Sequence, residues 1–121
     1  MTDLNLGPYF QNQLKDAEKL QKQIESLMAQ QYQYEVKLRE DKKTLDYLNK
    51  SNQDDEVYRE VGSILVKVKD VESFKKEVEE DVELAEMKLK SLKDQIEQLN
   101  AKLKSLTDEI NKLYQKSNNK N

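Results

Sequence analysis

Apolar residues recur on a seven-residue period through two long stretches of the chain, and the two stretches match when one is read backwards. From residue 75 to 113 the inward positions of the first kind are Lys75, Val82, Leu89, Ile96, Leu103 and Ile110. Those of the second kind are Val78, Ala85, Leu92, Leu99, Leu106 and Leu113. Only Lys75 breaks the apolar run. From residue 10 to 48 the corresponding positions are Phe10, Ala17, Ile24, Gln31, Leu38 and Leu45, then Gln13, Leu20, Leu27, Tyr34, Asp41 and Leu48. Gln13, Gln31 and Asp41 interrupt this weaker seam. A heptad sustained over this length predicts a coiled coil rather than the helix of an ordinary globular domain.

If the chain folds back on itself, facing residues have numbers summing to 123: Phe10 with Leu113, Ala17 with Leu106, Ile24 with Leu99, Leu38 with Ala85, Leu45 with Val78. One register aligns every layer. The competing arrangement is a parallel homodimer of long helices, but the residues between the seams break both helices and favour the intramolecular hairpin. The predicted boundaries are a helix over 8–49, a β-hairpin over 55–68, a helix over 71–115 and a disordered tail over 116–121, in one domain spanning 1–121. Pro8 suits a first helical turn, and the run from Asn49 to Asp55 is polar and turn-prone. Each helix would extend about 60–65 Å at 1.5 Å per residue.

The central segment has a different period. Val57 and Val61 share one strand face with Arg59, and Tyr58 and Glu60 the other. After a turn at Gly62 and Ser63, Ile64, Val66 and Val68 share one face, Leu65 and Lys67 the other. An isolated two-stranded hairpin is marginal in water, and its edges and apolar face call for partners. The fold class is therefore mostly α: a long antiparallel two-helix coiled coil with a small β-hairpin at the end away from the termini. The hairpins of several chains would join in an intersubunit sheet.

Composition narrows the function. The 121-residue chain has neither histidine nor cysteine, which removes the commonest general base and metal ligand and any thiolate chemistry. No glycine-rich phosphate loop is present. The carboxylate runs Asp54–Glu56 and Glu79–Asp81 read as a solvated turn and helix surface. A net charge of −3 gives no reason to expect nucleic acid. No apolar run approaches the roughly 20 residues of a membrane span. The first ten residues lack the basic start and apolar stretch of a signal peptide. The expectation is a soluble cytoplasmic protein that is not an enzyme and has no cofactor and no metal site.

The segment Asp54-Asp-Glu-Val-Tyr-Arg-Glu-Val-Gly-Ser-Ile-Leu-Val-Lys67, set between matched helices, resembles the central motif of the prefoldin β-class subunits. The likeness covers residues from about 8 to 115. A single hairpin is similar to the β class, since the α class carries two. The resemblance implies a heterohexamer of two α-class and four β-class subunits whose hairpins merge into a β-barrel platform. It further implies ATP-independent capture of unfolded polypeptide clients at the coiled-coil tips and their delivery to a group II chaperonin.

Two groups of residues are expected to carry this function. The assembly hairpin is Val57, Tyr58, Val61, Ile64, Leu65, Val66 and Val68, with Gly62 in the turn. The client-binding tip, where the termini meet, is Leu4, Leu6, Tyr9, Phe10, Leu14, Leu106, Ile110, Leu113 and Tyr114. The alternative for the tip is that these side chains merely close the coil end. Lys112 and Lys116 could meet acidic chaperonin loops. The alternative for the whole chain is a structural coiled-coil adaptor or tether without general chaperone activity.

Overall fold

The computed structural model describes residues 7–118, in the order α1 (Gly7–Lys50), β1 (Tyr58–Val61), β2 (Ile64–Lys67) and α2 (Val71–Asn118). The helix boundaries lie within one residue of expectation except at the C-terminus. There α2 continues past Gln115, so Lys116, Ser117 and Asn118 are helical where a disordered tail was expected. The helical pattern has no proline or glycine to stop it at Gln115, and Lys116 lies in the last turn, where a cation complements the helix dipole. Residues 119–121 lie outside the described part.

The chain divides into two compact units. One comprises the described residues up to Gln31 together with those from Ser91, and the other comprises Tyr32–Lys90. In the first, the early part of α1 packs with the late part of α2, so the two run antiparallel. Phe10, Ile24 and Leu92 are buried there, and Ala17, Leu20, Leu27, Ile96, Leu99, Leu103, Leu106, Ile110 and Leu113 are half-buried. Every residue on that list belongs to the seven-residue seam. The polar seam residues Gln13 and Gln31 are half-buried beside them. Leu92 retains only 1% of its exposure. Burying a leucine side chain contributes about 1.5–3 kcal/mol, so such layers supply most of the stability of a surface otherwise lined by charge.

In the second unit, Leu48, Val78, Ala85 and Leu89 are buried, and Tyr34, Leu38, Leu45 and Val82 are half-buried. Asp41 and Lys75 occupy seam positions and are half-buried too. The Ser51 hydroxyl donates to the Leu48 carbonyl (2.9 Å), one of the last free acceptors of α1, and Lys50 pairs with Asp46 at 3.0 Å. Helix α1 therefore ends where its carbonyls find a side-chain donor and the next residues prefer turns. The following loop closes through Asn52 N–H donating to Asp55 Oδ2 (2.8 Å) and Asp55 N–H donating to the Asn52 carbonyl (3.0 Å).

Strands β1 and β2 pair antiparallel in the register Tyr58↔Lys67, Arg59↔Val66, Glu60↔Leu65 and Val61↔Ile64. The Val68 N–H donates to the Val57 carbonyl at 2.8 Å and extends the ladder. Only Gly62 and Ser63 separate the strands, and Gly62 has φ +63°. That left-handed conformation is nearly free for glycine and costs other residues about 1–2 kcal/mol. Asp70 then caps α2: its Oδ1 accepts from Ser73 N–H at 3.0 Å, while its carbonyl accepts from Phe74 N–H.

Candidate functional site

The hairpin leaves its apolar side chains uncovered. Ile64, Leu65 and Val66 follow one another along β2 and all are exposed, Leu65 to 68%. Tyr58 and Val61 on β1 are exposed as well, while Val57 and Val68 at the base are half-buried. Three consecutive apolar residues place apolar groups on both strand faces, the pattern of a strand covered on both sides. Among the described residues, the sheet contains only β1 and β2.

The two faces differ in their polar contacts. On one, the Tyr58 hydroxyl donates to Glu56 Oε2 at 2.8 Å, and Lys67 Nζ lies 3.6 Å from Glu56 Oε1. The hydrogen bond from Tyr58, with the nearby lysine charge, holds the Glu56 carboxyl below its ordinary range. Its carboxylate acceptor in turn raises the Tyr58 hydroxyl above its own. On the other face, Arg59 Nη1 donates to Glu77 Oε2 on α2 at 3.0 Å, and its guanidinium carbon lies 4.8 Å from the centre of the Phe74 ring. Arg59, Phe74 and Glu77 were not singled out from the sequence. The available signal was a charged residue between Val57 and Val61 on an otherwise apolar strand face.

The first unit brings together the start of α1 and the end of α2. Tyr9 hydroxyl donates to Glu109 Oε1 at 2.8 Å, and Gln13 Nε2 donates both to the Tyr9 hydroxyl (2.8 Å) and to Glu109 Oε1 (3.2 Å). The bond to Glu109 raises the Tyr9 hydroxyl above its ordinary value. Of the expected tip residues, Tyr9, Leu14 and Tyr114 are exposed, Tyr9 to 59%. Leu106, Ile110 and Leu113 are half-buried, and Phe10 is buried at 8% exposure. Phe10 therefore fills the seam, and three side chains offer open apolar surface. Leu4 and Leu6 lie outside the described residues. Gln13 looked from the sequence like a gap opposite Ile110, but it reaches Glu109 and Tyr9.

Among the described residues, no group of three or more histidine, cysteine, aspartate or glutamate side chains is placed to hold a metal ion. No helix among these residues is long and apolar enough to cross a membrane.

Helix, single exposed hairpin and helix in this order are shared with known proteins. A family model described as prefoldin subunit matches residues 11–117. The prefoldin subunit beta of Thermoplasma acidophilum is 42% identical over 91 residues, covering 75% of this chain and 73% of that one. The chain belongs to the prefoldin subunit family. Its β class is supported by further prefoldin beta subunits, from Thermoplasma volcanium (42% identical over 91 residues, 75% of this chain and 73% of that one) and Archaeoglobus fulgidus (36% over 86 residues, 71% and 73%). The crystal structure of the prefoldin beta subunit from Thermococcus strain KS-1 superposes with a TM-score of 0.75 at 34% identity, over 88% of this chain and 92% of that one. Prefoldin is a chaperone family rather than an enzyme family, and a β-class prefoldin subunit has other prefoldin subunits as partners in a hetero-oligomer.

Proposed function

We propose that this prefoldin subunit is an ATP-independent holdase component. It captures unfolded polypeptides at the paired helix ends and delivers them to a group II chaperonin. It acts in the cytoplasm within a hexamer of two α-class and four β-class subunits, as one prefoldin-type domain spanning 1–121. The observation that carries the reading is the uncovered run Ile64-Leu65-Val66 in a sheet of only two strands. Strand edges bind other strands through backbone hydrogen bonds, and alternating side chains set the register. Val57, Tyr58, Val61, Ile64, Leu65, Val66 and Val68, with Gly62 in the turn, are the assembly residues.

Client capture falls to Tyr9, Leu14 and Tyr114, with Leu106, Ile110 and Leu113 contributing where the coil end opens, and Phe10 when the last layer frays. Leu4 and Leu6 would add to them. Several weak apolar contacts on several subunits combine through effective concentration, so no deep pocket is required. The burial of Phe10 and the Tyr9–Glu109–Gln13 contacts favour a second reading, a coiled-coil adaptor whose helix ends are simply closed.

Light scattering of the chain alone and with an α-class prefoldin subunit tests assembly, with a rise to about six subunits expected. A chain that ignores the α-class subunit overturns the proposal. Suppression of aggregation of several unrelated unfolded proteins by the assembled complex separates holdase from adaptor.

A further inference from the structure

Among the described residues, every hydrogen bond, ion pair and ring contact recorded between the hairpin strands and α2 starts at Arg59. Its guanidinium reaches Glu77 Oε2 at 3.0 Å and stacks 4.8 Å over Phe74, one turn apart on α2. Phe74 is half-buried and sits in the first turn, directly after Asp70 and Ser73 have capped the helix. The ring therefore sits on a capped first turn, and Glu77 stands on the same side one turn later. A planar guanidinium stacks on the ring while donating in its own plane to the carboxylate, a geometry that a lysine ammonium matches less well.

Two strands joined by a two-residue turn have little of their own to hold them at a set angle. We propose that Arg59 is a positioning residue for assembly: its clamp on Phe74 and Glu77 holds the hairpin at a fixed angle to α2 before any partner arrives. The strand edges and the Ile64–Val66 run are then presented in one orientation, and ordering that would otherwise oppose association is completed in the free subunit. This inference rests on reading the hairpin as the assembly element.

The test uses the full chain with an α-class prefoldin subunit. Assembly affinity is read by sedimentation, and helix melting by circular dichroism serves as the structural control. Exposed ion pairs and cation–π contacts are individually weak, so Arg59→Gln is expected to weaken assembly roughly five- to thirty-fold with helix melting unchanged. Arg59→Lys falls between the two. Arg59→Glu weakens assembly further, and adding Glu77→Arg recovers part of the loss. A companion variant, Ile64→Asp with Val66→Asp, separates the two claims. If Arg59→Gln assembles like the native chain while the companion does not, the clamp proposal fails and the assembly reading stands. If both assemble normally, the assembly reading itself is wrong. Loss of helix melting in parallel with assembly, or no recovery in the charge-swapped pair, also overturns the clamp.

Discussion

Asp41 is the acidic residue of the seam, and its surroundings explain what it costs. Its Oδ2 is buried, and the partner it has among the described residues is the Lys37 ammonium at 3.3 Å. Lys37 also lies 4.0 Å from Asp81 on α2, so its charge is shared. A carboxylate at a seam position forgoes the burial that a leucine would supply there, about 1.5–3 kcal/mol. Asp41→Leu is expected to stabilise the chain by about 1–2 kcal/mol, seen as a higher helix melting temperature; a lower one would mean that Asp41 holds register. Gly62→Val should destabilise the hairpin by about 1–2 kcal/mol, because a β-branched side chain is strained at φ +63° although nothing crowds its Cβ. The effect should appear as faster amide exchange in β1 and β2. Glu56 gives a pH prediction. Its pKa is depressed below the ordinary 4.5, so its contribution is present above that value and is lost as pH falls through the lower folded value. Tyr58 is raised above 10.0, so its contribution is present below that value and is lost as pH rises through the higher folded one. The pair should hold from about pH 4.5 to 10. In Tyr58→Phe, NMR titration of the Glu56 carboxyl should move back toward the ordinary value, leaving only the effect of Lys67.

At the scale of the element, the two helices and the hairpin owe their existence to different causes. The helices come from a repeat whose apolar stripe is buried in both units, supported by local devices at their ends. Asp70→Ala removes the cap of α2 and should cost about 1 kcal/mol, measured as a drop in helix melting temperature. Charge pattern supports the antiparallel pairing. In the second unit, α2 carries Glu77, Glu79, Glu80, Asp81, Glu83 and Glu86 in close succession, while α1 carries Lys37, Arg39, Lys42 and Lys43 interspersed with Glu35, Glu40, Asp41 and Asp46. Acidic stretches aligned with each other in a parallel pair of α2 helices would repel. The hairpin has no comparable internal support, since two strands cannot cover both faces of Ile64-Leu65-Val66. Its stability depends on its contacts with α2 and, in the proposed assembly, on strands from other subunits.

For the whole molecule, the expected behaviour is assembly followed by capture. Replacing Tyr9, Leu14 and Tyr114 together by serine should leave assembly mass unchanged and reduce suppression of client aggregation several-fold. Full retention of activity would place capture elsewhere. Much of the fold was legible in the sequence. A seven-residue period marks buried positions without further information, and each of the seam residues named from it is buried or half-buried. The hairpin register was legible because Gly62-Ser63 leaves a single two-residue turn between strands of alternating pattern. Contacts made by polar side chains were not. Tyr9 and Glu109 are separated by 100 positions, and neither carries a signal that it will meet the other.

By itself the sequence determined the two helices, their inward faces, the turn at Gly62 and the apolar residues on both faces of the hairpin. These follow from local propensity and from the periods of 3.5 and 2, which are properties of consecutive residues. Tertiary structure alone decided that Arg59 joins the hairpin to Phe74 and Glu77 and that Gln13 turns to Glu109 and Tyr9. It also decided that the end layer, where the heptad already places Phe10 inward, stays closed. Each of these depends on where a side chain of one element lies against another, and a long flexible polar group can satisfy itself in several ways until packing selects one.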